Sequence, residues 1–216
     1  STGIGADNID IVLNELDATV NINLETKTIK EKPTALNIVR IGTSGSLQKD
    51  IPLDSFLLST YALDINGMLR SYITETISHP NIENAFVEHT NWDEKKCFPL
   101  VISNSKSLED KISSEIIYKG ITATAGGFYG PQGRVIRLPI KDSNLNNKID
   151  SFNFNGKRVT NLEMETSAIY GLSKLLGHHA CSMNAIIANR AHGTFSKNPD
   201  KVIADLIIYT LDKMTS

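Results

Sequence analysis

An α/β fold is predicted, with helices flanking a mostly parallel sheet whose strand ends open onto one crevice. Two observations predict it. Short apolar runs of strand length alternate with apolar stripes at helical spacing along the chain. In addition, four separate strand ends, at 40–45, 128–134, 163–165 and 189–190, carry glycines and polar or charged side chains. Open α/β sheets place their ligands at such ends.

The composition limits the function classes. With 216 residues, 40% of them hydrophobic, the chain is long enough for one sizeable core, and a single domain over 1–216 is expected. A net charge of −2 without any Lys/Arg block argues against nucleic acid and anionic membrane as partners. No apolar run approaches membrane-spanning length, and Cys97 and Cys181 are too few for a disulfide framework, so a cytoplasmic location is expected. His79 and His89 lack ligand spacing, and no metal site is expected. His178, His179 and His192 read as surface or capping histidines. The opening Ser1-Thr2-Gly3-Ile4-Gly5 has the character of a loop that follows a strand, which suggests residues preceding Ser1.

Taken in order, Asp7 and Asn8 are capping residues for a helix striped by Ile9, Val12, Leu13 and Leu16. Residues 25–33 read as a charged, solvated connection. The strand formed by Leu36, Ile38, Val39 and Ile41 runs into a Gly42-Thr43-Ser44-Gly45 loop. Its glycines permit close backbone approach, its hydroxyls donate, and the Arg40 fork suits phosphate; Arg40 as a paired core arginine is the competing reading. Residues 56–59 form another strand, and Asn66-Gly67 a turn. Residues 70–96, with Phe86 and Trp92, show little periodicity and read as an excursion over the surface or into an interface. Residues 100–102 form a short strand, and Leu108, Ile112 and Ile116 stripe a helix over 105–117.

After the strand at 121–124 comes a third Gly-rich loop, 125–134. Phe128 offers an aromatic face, Gln132 an amide that donates and accepts, and Arg134 a guanidinium, the parts needed to stack on a flat heterocycle and read its edge. A plain turn with a solvated arginine remains the alternative. Residues 142–150 read as solvated. The Asn155-Gly156 turn then leads to Glu163-Met164-Glu165-Thr166, where a strand hands over to a helix ending at Gly177. The two glutamates either serve the crevice or favour the helix N-terminus electrostatically. An apolar strand over 183–188 ends in Asn189-Arg190, and a last helix over 199–214 buries Val202, Leu206, Tyr209 and Leu211.

Five motifs in this order, Ser1-Thr2-Gly3-Ile4-Gly5, Arg40-Ile41-Gly42-Thr43-Ser44-Gly45, Phe128-x-x-x-Gln132-x-Arg134, Glu163-Met164-Glu165-Thr166 and Asn189-Arg190, make the chain resemble the nucleoside phosphorylases over nearly its whole length, and among them the uridine-cleaving branch. The resemblance implies a three-layer αβα sandwich around a mixed, barrel-like sheet, and a dimer or a hexamer of dimers with shared active sites. It implies phosphorolysis of uridine to uracil and ribose 1-phosphate, with inorganic phosphate as co-substrate and no cofactor. Arg40, Gly42 and Thr43 then correspond to phosphate ligands, and Thr43, Met164 and Glu165 to ribose contacts. Phe128, Gln132, Arg134, Ile187, Ala188 and Arg190 correspond to the uracil pocket. The family's Gly-Asp-x-x-Arg phosphate loop, and a His and an Arg lent by a neighbouring subunit, have no counterpart from Ser1 onward. Asn8 stands where the family's monovalent-cation site has Ser. Purine cleavage, by phosphorolysis or hydrolysis, and a non-catalytic nucleoside-binding role are the competing functions; purine-cleaving relatives place an Asp just beyond the last strand, where this chain has no acid before Asp200.

Overall fold

The computed structural model describes residues 1–215. In chain order the elements are α1 (Ala6–Asn21), β1 (Ile22–Asn23), β2 (Thr28–Ile29), β3 (Asn37–Ser46), β4 (Phe56–Asp64), α2 (Pro80–Thr90), β5 (Leu100–Ser103), α3 (Lys106–Ile112), β6 (Tyr118–Thr124), α4 (Leu145–Asp150), β7 (Asn153–Phe154), β8 (Lys157–Glu163), α5 (Thr166–Leu175), β9 (His179–Asn189), β10 (Thr194–Phe195) and α6 (Pro199–Thr215). Short 3-10 turns lie at Met68–Ser71 and Gly130–Gln132.

Five strands close a mixed barrel. β9 pairs parallel with β3, β3 antiparallel with β8, β8 parallel with β6, β6 parallel with β4, and β4 antiparallel with β9. β5 and β10 extend the sheet beyond this ring. The helices pack in pairs on its outside, burying the apolar stripes that specify them. Ile9 and Leu13 of α1 meet Ala168, Ile169 and Leu172 of α5. Ile82 and Phe86 of α2 meet Leu145 and Ile149 of α4, and Leu108 and Ile112 of α3 meet Val202 and Leu206 of α6. The αβα layering around a barrel-like mixed sheet expected from the resemblance is therefore present.

Several local expectations change. The Gly42-Thr43-Ser44-Gly45 stretch is not a loop: it continues β3, with a register shift between Ser44 and Gly45. Its glycines are tolerated because other side chains fill the space they leave. Residues 70–96 hold α2, and Phe86 is fully buried in the core, with the half-buried Trp92 packed on it at 5.5 Å between ring centroids. The predicted 105–117 helix stops at Ile112, leaving Ile116 exposed, and on α6 Thr210 is buried where Leu211 was expected. Leu16 is likewise exposed. Residues 142–150 contain α4, whose Leu145 and Ile149 are buried. His178 is buried, its Nδ1 accepting from the Leu36 amide while Nε2 lies 3.2 Å from Asp17. Asp7 and Asn8 lie inside the first turn of α1, and Gly5 is the N-cap.

Two glycine turns expected from the sequence are present. Gly177, at φ 82°, follows the C-cap Leu176 of α5, and Gly67, at φ 95°, closes the Asn66-Gly67 turn. Both are conformations that side chains with a Cβ adopt only under strain.

Candidate active site

The inside of the barrel is polar, and this was hidden in the sequence. Arg40 Nη1 donates to Asn184 Oδ1 at 2.9 Å, and Asn184 Nδ2 donates to Ser59 Oγ at 3.0 Å. Ser59 shares a short hydrogen bond with Thr122, Thr122 Oγ1 donates to Asn161 Oδ1 at 2.8 Å, and Asn161 Nδ2 donates to Ser44 Oγ at 2.9 Å. This chain of side chains visits β3, β9, β4, β6, β8 and returns to β3. Ser59, Thr122, Asn161 and Asn184 are fully buried. Each of these side chains has at least one hydrogen-bond partner, as buried polar groups require. The signal that could have revealed it is period-two alternation of polar residues, Ser182/Asn184 on β9 and Thr122/Thr124 on β6, within strands that look apolar overall.

Above this ring Arg40 meets two carboxylates. Its Nη2 lies 2.8 Å from Glu165 Oε2 and 3.2 Å from Glu163 Oε2. Both competing readings of Arg40 thus hold part of the geometry: it is paired, and it lines a cavity. Its guanidinium folds back over Gly42, where a Cβ would lie 2.6 Å from Cζ. Gly42 therefore serves by clearance.

The two glutamates divide their tasks. Glu163 accepts from Thr124 Oγ1 at 2.6 Å, from the Glu165 amide at 2.9 Å and from the Thr166 amide at 2.9 Å. It thereby satisfies donors at the start of α5, the role that makes a carboxylate favourable at a helix N-terminus. Glu165 reaches the other way. Its Oε1 accepts from the Gly5 amide at 2.7 Å and its Oε2 from Arg40, so the N-cap of α1 and β3 together fix its carboxylate. Gly5 takes φ 96° and ψ 158°, a region open essentially to glycine.

At the opposite end lie Phe128, Gln132, Arg134 and Arg190. Arg134 stacks over the Phe128 ring at 3.8 Å from its centroid, and Tyr129 packs edge-on against Phe128. Gln132 is buried, and its Oε1 accepts from Arg134 Nη1 at 2.8 Å and from Arg190 Nη2. Arg190 Nη1 also donates to the Gln132 carbonyl at 3.0 Å. An amide oxygen has two lone pairs, and both are engaged here, so Gln132 offers its Nε2 hydrogens to a ligand. The expectation that this amide also accepts from the ligand requires one arginine to let go. Burial and the neighbouring Arg134 charge push Arg190 down to about 10, which leaves it charged at neutral pH. Burial lowers Arg134 as well.

These parts surround one cavity of about 570 Å³, lined by Ser1 to Ile4, Arg40 to Gly45, Phe128, Gln132, Arg134, Leu162 to Glu165, Ile187, Ala188 and Arg190. Arg40, Gly42, Thr43, Phe128, Gln132, Arg134, Met164, Glu165, Ile187, Ala188 and Arg190 all line it. Phe195 lines it too and was missed. Asn189 does not: its Nδ2 donates to the Gln48 and Ile51 carbonyls and its Oδ1 accepts from the His192 amide, so it anchors the strand end. A larger cavity of about 810 Å³ lies behind the 126–142 segment, but its walls are mainly apolar and hold none of the paired groups above apart from Arg134. Among the described residues no three His, Cys, Asp or Glu side chains converge as metal ligands would.

Comparison with known proteins agrees with this architecture. Residues 1–207 match the family model described as the phosphorylase superfamily. A curated uridine phosphorylase of Thermococcus kodakarensis is 27% identical over 204 residues, which is 94% of this chain and 62% of that protein. The chain thus spans less than two thirds of that relative. A Trypanosoma brucei nucleoside phosphorylase structure, described as showing uridine phosphorylase activity, superposes with a TM-score of 0.85 at 25% identity, over 100% of this chain and 78% of that one. A Vibrio fischeri uridine phosphorylase structure shares the fold with a TM-score of 0.63 at 19% identity, covering 100% and 72%. With the family model covering nearly all of the chain, and the barrel and its cavity built from the family's motifs, the chain belongs to the phosphorylase superfamily.

Proposed function

We propose that this site carries out phosphorolysis of uridine, giving uracil and ribose 1-phosphate. The observation that carries the proposal is the charge layout of the cavity. Glu163 and Glu165 stand at one end around Arg40, and Arg134 and Arg190 flank Gln132 at the other. With the ribose at Glu165 and Met164 and the base at Gln132, the C1′–N1 bond runs from the carboxylate end to the guanidinium end. As that bond breaks, its electron pair moves onto the uracil ring, and the Gln132 and arginine donors stabilise the base anion. The ribosyl carbon gains positive charge next to Glu165. A phosphate oxygen, held at Arg40 and Thr43, forms the new bond to C1′. Preorganised donors of this kind are typically worth ~3–4 kcal/mol each to a transition state.

In this reading inorganic phosphate is the co-substrate and no organic cofactor takes part. Two free thiols, Cys97 and Cys181, fit a reducing compartment such as the cytoplasm. The uridine preference over purines rests on the absence of an acid near the end of β9, since Asn189 is fully engaged in the fold. At the phosphate end one guanidinium faces two carboxylates, so a dianion needs further cations. The resemblance implies that a neighbouring subunit lends a His and an Arg, which makes a homo-oligomer part of the proposal. Sedimentation of a fully active monomer would contradict that part.

Incubation with uridine in phosphate-containing and phosphate-free buffer tests the reaction class. Uracil release only with phosphate or arsenate is expected; equal release without either would assign a hydrolase. Inosine cleaved as fast as uridine would transfer the assignment to purine nucleosides.

A further inference from the structure

We propose that Ser44 is a further ligand-binding residue, whose hydroxyl is compelled by the barrel's interior to donate to an oxygen acceptor in the cavity. This rests on the phosphorolysis reading for the identity of the ligands, but the direction of the hydroxyl does not.

The direction follows from one fixed point. An arginine side chain donates and cannot accept. Asn184 must therefore turn its Oδ1 to Arg40 Nη1, which leaves Nδ2 facing Ser59. Ser59 Oγ accepts that hydrogen, and its own proton has Thr122 Oγ1 as the only other side-chain partner within reach. A fully buried hydroxyl without an acceptor would be costly, so Ser59 donates to Thr122. Thr122 must then pass its own proton to Asn161, whose Oδ1 is the acceptor on that side. Asn161 Nδ2 is left to donate to Ser44 Oγ.

Every hydrogen bond from Arg40 onward thus points the same way, and the chain ends on Ser44 with its proton unassigned. Ser44 is 6% exposed and lines the cavity. The cavity that Ser44 lines is the side left open to that proton. Aligned hydrogen bonds polarise one another, and a guanidinium at the head of the chain adds to the effect, so Ser44 is a better donor than an isolated hydroxyl. Its partner is an acceptor, either a phosphate oxygen or an oxygen of the nucleoside. An amino group at that position would meet a donor and be rejected.

The test uses Ser44→Ala and Ser44→Thr. Calorimetric titrations with inorganic phosphate alone and with uridine alone separate the two sources of acceptor. Ser44→Ala is expected to weaken one of the two ligands by about tenfold and leave the other near wild type, and Ser44→Thr, which keeps the hydroxyl, to restore binding. Equal affinities of wild type and Ser44→Ala for both ligands would overturn the proposal, as would failure of Ser44→Thr to restore binding in a folded protein. A neutron structure of the ligand-free protein reads the direction without any ligand. The Ser44 deuterium pointing into the cavity is expected, whereas a Ser44 deuterium pointing to Asn161 would overturn it. Wild-type protein that binds neither ligand would remove the phosphorolysis reading, and the neutron result would still decide Ser44.

Discussion

The guanidinium of Arg40 lies across Gly42, so closely that a Cβ at position 42 would sit 2.6 Å from Cζ and 2.7 Å from both terminal nitrogens. Gly42→Ala is therefore expected to push Arg40 off Asn184 and Glu165 without disturbing the outer core. A shift of about 1 Å in such a group costs on the order of 10²-fold in kcat/KM. Steady-state kinetics alongside thermal melts check it; unchanged kinetics would show that Arg40 has slack.

Glu165 accepts from two donors, Arg40 and the Gly5 amide. Glu165→Gln replaces one acceptor oxygen by an NH2 group, which must then face one of those donors as a second donor. We expect kcat/KM for uridine to fall on the order of 10²-fold or more. A near-wild-type value would return Glu165 to a purely structural place at the start of α5.

Arg190→Met should separate catalysis from stability. It removes one of the two donors on Gln132 Oε1 together with a mostly buried charge. Replacing a buried charge by an apolar group of similar length is often neutral or stabilising. The expectation is a Tm at or above wild type with kcat/KM down at least about tenfold. A lowered Tm with intact kinetics would reverse the assignment.

Asp64 predicts a pH dependence. Burial raises its carboxyl above the ordinary value, outweighing the Asn66 and Gly67 amides that its Oδ1 accepts. The unfolded chain then loses this proton first, so the site's contribution to stability falls as pH rises above about 4 through the folded pKa, and stays low beyond it. Asp64→Asn keeps an acceptor at Oδ1 and cannot ionise. Its Tm relative to wild type should rise between pH 4 and pH 8. A constant difference across that range would show that Asp64 does not titrate there.

The parts of the site that were legible in the sequence are those where chemistry and turn grammar coincide. Gly-rich strand ends, Phe128-x-x-x-Gln132-x-Arg134 and the Glu163–Glu165 pair could be placed in one crevice because strands and helices alternate. Phe86 was misread because α2 begins at Pro80 after a turn and shows a core stripe of only Ile82 and Phe86, with the buried Glu83 between them. Glu83 is buried there because it accepts from the His79 and Val101 amides, a tertiary reason that no window of sequence contains. Gly42 and Ser44 read as loop because Gly-Thr-Ser-Gly has low strand propensity, which the continuous pairing with β9 overrides. The interior ring left only the period-two polar alternation on β6 and β9, because its members lie far apart along the chain and meet only when the barrel closes.

That closure also limits what the backbone offers to other chains. Sheets recruit strands from neighbouring molecules through unpaired edges. In the five-stranded ring each strand is bonded on both sides, and the free rims belong to β5, four residues long, and β10, two residues long. The two-residue strands β1, β2 and β7 leave open edges as well, and rims this short are poor templates for intermolecular β-pairing. Aggregation of this protein on heating should therefore wait for the barrel to open, and light scattering should rise together with loss of near-ultraviolet dichroism rather than before it.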